Sequence, residues 1–84
     1  MNKIQNIKYY CDNKRHLVCV PYSIDNLHLM AEDLKIGKHF YHERSKRSIH
    51  PHYDIPARRI KEITDKCIIV SSKEILTIIK KGLK

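Results

Sequence analysis

The chain is predicted to fold as a small α/β sandwich, in which a short sheet of three or four strands packs with about three helices. Short apolar runs typical of strands alternate with segments whose apolar residues recur every three or four positions, as in helices. The 84 residues suffice for one domain, 1–84. A hydrophobic content of 42% argues against intrinsic disorder despite the net charge of +8. The predicted element order is β-β-α-(β)-α-β-α.

The first two strands are predicted to form a hairpin. Residues 7–11 and 16–20 are the strand segments, and Asp12 begins the polar turn 12–15 between them. A connection this short permits only an antiparallel pair. Pro21 ends the second strand because it lacks a backbone donor.

The next element is predicted to be a helix with one buried stripe. Ser23 is a good N-cap, and Gly37 supplies the expected stop. His28 lies at the edge of the stripe, where it can border a cleft. The stripe has the spacing i, i+3, i+4 and i+7 and consists of Leu27, Met30, Ala31 and Leu34.

A basic, histidine-rich loop is predicted over residues 38–53, with a short strand at 38–42 inside it. This segment holds four of the six histidines. A loop of this length in a small domain is usually functional or disordered.

The remaining elements are a helix, a strand and a final helix. Asp54-Ile55-Pro56 is predicted to open the second helix, whose inward face comprises Ala57, Ile60, Ile63 and Cys67. Residues 67–70 form a short apolar run, predicted to be a buried strand. A capping box at 71–74 starts the last helix, which is predicted to bury Ile75, Ile78, Ile79 and Leu83.

The net charge indicates the class of partner, and the cysteines indicate the redox environment. Seventeen Lys and Arg face nine Asp and Glu, which favours an anionic partner such as nucleic acid. No apolar run approaches the roughly 20 residues that cross a bilayer, so no membrane partner is expected. The three cysteines lack a Cys-x-x-Cys spacing and are interpreted as reduced thiols. A cytoplasmic protein is expected.

The candidate chemistry lies at the triplet His52-Tyr53-Asp54 and the following Arg58 and Arg59. Asp54 can orient a histidine that acts as general acid or base near neutral pH. The two arginines can hold a phosphate. An alternative stays open, in which Asp54 caps a helix, Tyr53 packs and the arginines are solvated.

The sequence also bears on metal and nucleotide sites. Asp12 and Asp54 are candidates for a divalent cation such as Mg²⁺, if the fold brings them together. A zinc site from the histidine pairs and two cysteines is disfavoured, because the spacing lacks the usual pair-plus-pair pattern. It would combine His39, His42, His50, His52, Cys11 and Cys19. The chain has two glycines, which excludes Gly-rich phosphate loops.

Nucleic-acid binding is predicted for the basic loop and the helix after it. Aromatic residues interleaved with cations suit base stacking and phosphate contact. The residues expected to make these contacts are Lys46, Arg47, Tyr53, Arg58 and Arg59.

The same residues carry a resemblance. A Leu27-His28-x-x-Ala31 helix, combined with His52-Tyr53-Asp54, is similar to a family of short bacterial and bacteriophage proteins described only as a domain of unknown function. The similarity covers most of residues 7–80. It implies an intracellular, often phage-borne protein that would lie in the host cytoplasm. The positions to which it directs attention are Asp12, His28, His52, Tyr53, Asp54 and Arg59.

Two functions are therefore predicted. The leading one is a small phage-type nuclease that nicks DNA or hydrolyses phosphodiesters, with His28 or His52 moving the proton and Asp12 or Asp54 assisting. The alternative is a noncatalytic module whose basic face binds a host DNA-processing enzyme, where electrostatics would set the rate and specificity of association.

Overall fold

The computed structural model describes residues 7–42 and 51–82, and within them the chain folds around a five-stranded mixed sheet. The strands are β1 (Lys8–Cys11), β2 (His16–Val20), β3 (Tyr41–His42), β4 (His52–Asp54) and β5 (Ile68–Ile69). The helices are α1 (Ile24–Leu34), α2 (Ile60–Thr64) and α3 (Ser72–Gly82). Their order in the sheet is β3-β4-β2-β1-β5. The α/β class is thus confirmed, with one more strand than the upper expectation.

The β1–β2 hairpin is confirmed. The strands are antiparallel, with Tyr10 opposite Val18 and Cys11 opposite Leu17. Asp12 closes the turn by a backbone bond of 3.2 Å to the carbonyl of His16. β2 ends before Pro21, as predicted.

Helix α1 begins as predicted and ends differently. The Ser23 hydroxyl accepts the backbone N–H of Asn26 at 3.0 Å, and the four stripe residues are buried. The expected stop at Gly37 was wrong, because Lys35 takes the left-handed conformation (φ 60°) and ends the helix. The guanidinium of Arg59 donates to the carbonyls of Leu34 and Lys35 at 2.7 Å each. These bonds satisfy acceptors that every helix C-terminus leaves free.

Most of the predicted loop 38–53 that the structure describes is ordered secondary structure. A 3₁₀ turn at Lys38–Phe40 leads into β3, which lies antiparallel to β4. β4 also pairs antiparallel with β2. The expectation of a loop through residue 53 was wrong, because β4 starts at His52. Pro51 lies just before the strand, where its lack of a backbone N–H removes no hydrogen bond from the sheet.

The predicted second helix starts later and is shorter. Asp54 ends β4 and does not begin a helix, and a 3₁₀ turn at Ala57–Arg59 precedes α2. Of the predicted inward face, Ile63 is buried, while Ala57 is exposed and Ile60 is 38% exposed.

Strand β5 lies at the sheet edge and is not buried. It pairs in parallel with β1, and Ile68 and Ile69 are 45% and 56% exposed. Helix α3 begins as predicted, since the Ser71 hydroxyl accepts the backbone N–H of Glu74 at 3.1 Å. Ile75 and Ile79 are buried as expected, whereas Ile78 is only half-buried. The predicted burial of Leu83 lies outside the described residues.

Helices α1 and α3 pack on opposite faces of the sheet. α1 packs on the face that carries Leu17 and Tyr53, and His28 of α1 contacts the Tyr53 hydroxyl. α3 contacts β2 and β1 on the other face, where Val20 and Ile78 line a common groove. Among the described helices, none is long and apolar enough to cross a bilayer.

Candidate functional site

Three histidines and an aspartate share one face of the sheet at its β3–β4–β2 end. Successive side chains of a strand point to opposite faces, so His52 and Asp54 lie on one face of β4 and Tyr53 on the other. The register places His16 opposite Asp54 and His42 opposite His52. We call His16, His42, His52 and Asp54 the His/Asp cluster.

The members of the His/Asp cluster are in contact. The His52 ring centroid lies 5.3 Å from that of His16 and 5.4 Å from that of His42. The two carboxylate oxygens of Asp54 serve different rings: Oδ2 lies 3.0 Å from His42 Nε2, and Oδ1 lies 3.4 Å from His52 Nε2. Side-chain exposures of 41% for His16 and 43% for His42 leave the cluster open to a large substrate.

Asp12 supports the cluster from beneath His16. It is 2% exposed, and its Oδ1 accepts the backbone N–H groups of Lys14 and His16 at 2.8 and 2.9 Å. Its Oδ2 accepts the Ser72 hydroxyl at 2.6 Å and lies 2.8 Å from His16 Nδ1. Burial alone would raise the pKa of Asp12, but these hydrogen bonds outweigh burial and lower the pKa below its ordinary value. Asp12 is therefore ionised at neutral pH.

The turn that carries Asp12 and His16 is tied to the end of β4. Arg15 has a positive φ of 84°, which is uncommon outside glycine. Its carbonyl accepts the Ile55 N–H at 2.8 Å, and its Nε donates to the Ile55 carbonyl at 2.9 Å. This pair of bonds holds the turn beside Asp54, which positions Asp12 and His16 against the rest of the cluster.

His28 does not belong to this site. It lies on α1, on the opposite face of the sheet, with Nδ1 2.8 Å from the Tyr53 hydroxyl and its ring 4.7 Å from that of Tyr41. The structure therefore separates His28 and Tyr53 from His52 and Asp54, although the sequence suggested one site for all four. Tyr53 is 1% exposed, so its ring is not available to stack on a base.

The predicted phosphate ligands fall in different places. Arg59 is engaged at the end of α1 and with Glu62, and the hydrogen bond between them raises the pKa of Arg59 and lowers that of Glu62. Arg58 is exposed. Lys46 and Arg47 lie outside the described residues.

Two of the three cysteines, Cys11 and Cys19, lie on the face of the sheet that packs against α1. Cys11 and Cys19 are fully buried, and alternation along β1 and β2 places them on the same face as Leu17. Burial raises the pKa of the Cys19 thiol to about 11 and that of Cys67 to about 12, which makes them poor nucleophiles. The structure thus places Cys11 and Cys19 on the opposite face of the sheet from His42 and His52 and does not bring them together as a zinc set.

Metal-binding atoms converge within the cluster. One donor atom from each of His16, His52 and Asp54 lies within 4.8 Å of the other two. Sequence reasoning missed His16 as a site residue, since β4 was expected to be loop and the register that pairs His16 with Asp54 was not visible. The available signal was its position four residues after Asp12, at the start of a predicted strand.

Comparison with family models, with curated proteins and with solved structures found no match for this chain. The resemblance to a family of short bacterial and phage proteins stays a prediction. The functional inference therefore depends on the geometry of the cluster and on the charge of the chain.

Proposed function

We propose that this protein is a phosphodiesterase that nicks DNA at the His/Asp cluster. The observation that carries the proposal is the convergence of His16, His52 and Asp54 at the partly exposed β3–β4–β2 end of the sheet, with Asp12 holding the His16 ring. Imidazole and carboxylate groups that cluster in an accessible site commonly transfer protons and activate water.

Hydrolysis of a phosphodiester involves an attacking nucleophile and a leaving group at the same phosphorus atom. A water oxygen forms a bond to phosphorus while the bond from phosphorus to one sugar oxygen breaks. The water loses a proton to the cluster, and the departing sugar oxygen gains one. His52 and His16 lie on adjacent strands with ring centroids 5.3 Å apart, close enough to act on the two sides of one phosphate.

The charge near the cluster suits a polyanionic substrate. Lys14 and Arg15 are exposed in the turn after Asp12, and the exposed Lys73 follows Ser72, which bonds to Asp12. The segment 43–50 connects His42 to the strand that bears His52, and its sequence contains Arg44, Lys46 and Arg47 against one acidic residue. Cations near a reacting phosphate strengthen binding and make it salt-dependent.

Nicking of supercoiled plasmid tests the proposal. The assay is run in three buffers, which contain Mg²⁺, Zn²⁺ or neither. The wild-type protein is expected to convert supercoiled DNA to the open circle in at least one of them. His52→Ala and Asp54→Asn are expected to lower the initial rate by about 100-fold or more, as loss of a general acid or base does. His39→Ala is the matched control, because His39 is exposed in the 3₁₀ turn and outside the cluster.

Two results would overturn the proposal. One is intact DNA under every metal condition, with single-stranded and abasic substrates included. The other is nicking that survives both cluster substitutions, which would assign the activity to a contaminant. Rising salt is expected to weaken DNA binding steeply, and binding that ignores salt would contradict the predicted phosphate contacts.

A second candidate function is supported by the exposed edge strand. Ile68 and Ile69 are 45% and 56% exposed on β5, which is an edge strand of the sheet within the described residues. Such edges accept a strand from a partner. Capture of one host DNA-processing protein from nuclease-treated lysate, lost in Ile69→Lys and combined with absence of nicking, would favour this noncatalytic role.

A further inference from the structure

We propose that His16, His52 and Asp54 bind one divalent transition-metal ion of the zinc class, with Asp12 holding the His16 ring in the ligating orientation. The sequence suggested Mg²⁺ between Asp12 and Asp54, and the geometry points to a different ion and a different set of ligands.

The distances between the candidate donor atoms are close to those between the ligand atoms of a bound ion. The three donor atoms lie within 4.8 Å of one another. Bonds of about 2.1 Å at tetrahedral angles place donor atoms roughly 3.4 Å apart. Small rotations of partly exposed side chains close this difference. The ligands come from two hydrogen-bonded strands, so the backbone already holds them together.

The contact between Asp12 and His16 is the second observation that points to a metal. Asp12 Oδ2 accepts the Ser72 hydroxyl and lies 2.8 Å from His16 Nδ1, a geometry that suits an N–H on Nδ1 donating to the same carboxylate oxygen. The lone pair of His16 Nε2 is then free for a cation. Metal-binding histidines commonly donate their other ring N–H to a carboxylate in this way, which orients the ring and raises its basicity.

Asp54 is held in a comparable manner. Its Oδ1 faces His52, whereas its Oδ2 lies 3.0 Å from His42 Nε2. The Asp54 carboxylate can thus coordinate the ion through one oxygen while the other oxygen stays in contact with His42. Three protein ligands also leave a coordination position for water, the arrangement found in catalytic zinc sites.

The donor set selects the class of metal. Two imidazoles and one carboxylate suit zinc and its neighbours in the first transition series, whereas Mg²⁺ prefers oxygen ligands in an octahedron. The two carboxylates, Asp12 and Asp54, also place negative charge beside the site in a chain whose net charge is +8. Because two of the three ligands are imidazoles, Mg²⁺ is expected to bind more weakly than Zn²⁺, by about a hundredfold or more.

Only the catalytic use of the ion rests on the proposed function; its binding does not. With the ion bound, His16 and His52 would be its ligands and would no longer transfer protons themselves. The ion would then supply that chemistry by lowering the pKa of a bound water and polarising a phosphoryl oxygen. Zinc binding without DNA cleavage would overturn the proposed function and leave the metal site standing. Cleavage by a protein that binds no zinc would overturn the metal site and leave the proposed function standing.

Calorimetric titration of the full chain with Zn²⁺, after removal of metal by a chelator, tests the site. One equivalent is expected to bind, with affinity lowered about a hundredfold or more in His16→Ala, His52→Ala and Asp54→Asn. Asp12→Asn is expected to lose about 10–100-fold, as outer partners of metal ligands do. His39→Ala is the matched control and is expected to bind as the wild type does.

A spectroscopic measurement locates the ion independently of affinity. In ¹⁵N NMR spectra of the histidine rings, Zn²⁺ is expected to shift His16 Nε2 and a His52 nitrogen and to leave His39 unchanged. Circular dichroism and thermal melting identify any variant that fails to fold, and Asp54→Asn, whose side chain is 30% exposed, should retain the fold. Absence of stoichiometric binding, or equal affinity in folded Asp54→Asn, would overturn the proposal.

Discussion

The two faces of strand β4 carry neighbouring residues with opposite surroundings. Tyr53 points toward α1, is 1% exposed and contacts His28. His52 and Asp54 point to the other face, where side-chain exposures of 20% and 30% keep them in reach of solvent. A three-residue strand thus contributes to the core with one side chain and to the candidate site with the two that flank it.

This difference shows that a histidine's role depends on which face of the sheet it occupies. His28 and His16 both contact an oxygen at 2.8 Å. The partner of His28 is a buried phenol within the packed layer. The partner of His16 is an ionised aspartate, and its ring opens toward the surface. The first arrangement supports packing, whereas the second presents a nitrogen to a ligand.

The largest effect on stability is expected on the face of the sheet that packs against α1. Tyr53→Ala should lower the free energy of unfolding by about 3–5 kcal/mol, because it removes a fully buried ring and leaves a cavity. Tyr53→Phe keeps the ring and should cost only about 1 kcal/mol, the net worth of one hydrogen bond. Urea denaturation measures both. Equal losses in the two variants would show that the hydroxyl contact, and not packing, dominates.

An intermediate effect is expected at the residue that supports the cluster. Asp12→Ala should cost about 3 kcal/mol, since two backbone N–H groups and the Ser72 hydroxyl lose a buried acceptor. Asp65→Ala, on an exposed aspartate after α2, is the matched control and should change stability by less than about 0.5 kcal/mol. If Asp12→Ala unfolds no more easily than this control, Asp12 does not hold the turn in place.

The smallest effect on stability is expected at the partly exposed His/Asp cluster. His52→Ala should change the unfolding free energy by less than about 1 kcal/mol, because this ring is partly solvated and fills no cavity in the core. The same substitution should have the largest effect on nicking and zinc affinity. A stability loss as large as that of Tyr53→Ala would mean that the His/Asp cluster is a structural unit, and the contrast between the faces would fail.

The local elements were the most predictable part of the fold. The β1–β2 hairpin, the Ser23 cap and the buried stripe of α1 are each encoded by neighbouring residues, and all three are confirmed. The end of α1 was not predictable, since Lys35 stops the helix with the help of Arg59, which lies 24 residues along the chain. The exposure of Ile69 was missed because an apolar run does not reveal whether its strand lies at the centre or the edge of a sheet.

The sequence by itself determined the α/β class, the basic character of the chain and the residue types from which a site could be built, because composition and periodicity are local properties. Asp12, His52 and Asp54 were recognisable as candidates in this way. Only the tertiary structure decided that His16 joins them and that His28 does not. Strand register and sheet face set that outcome, and both depend on contacts between segments far apart in the chain.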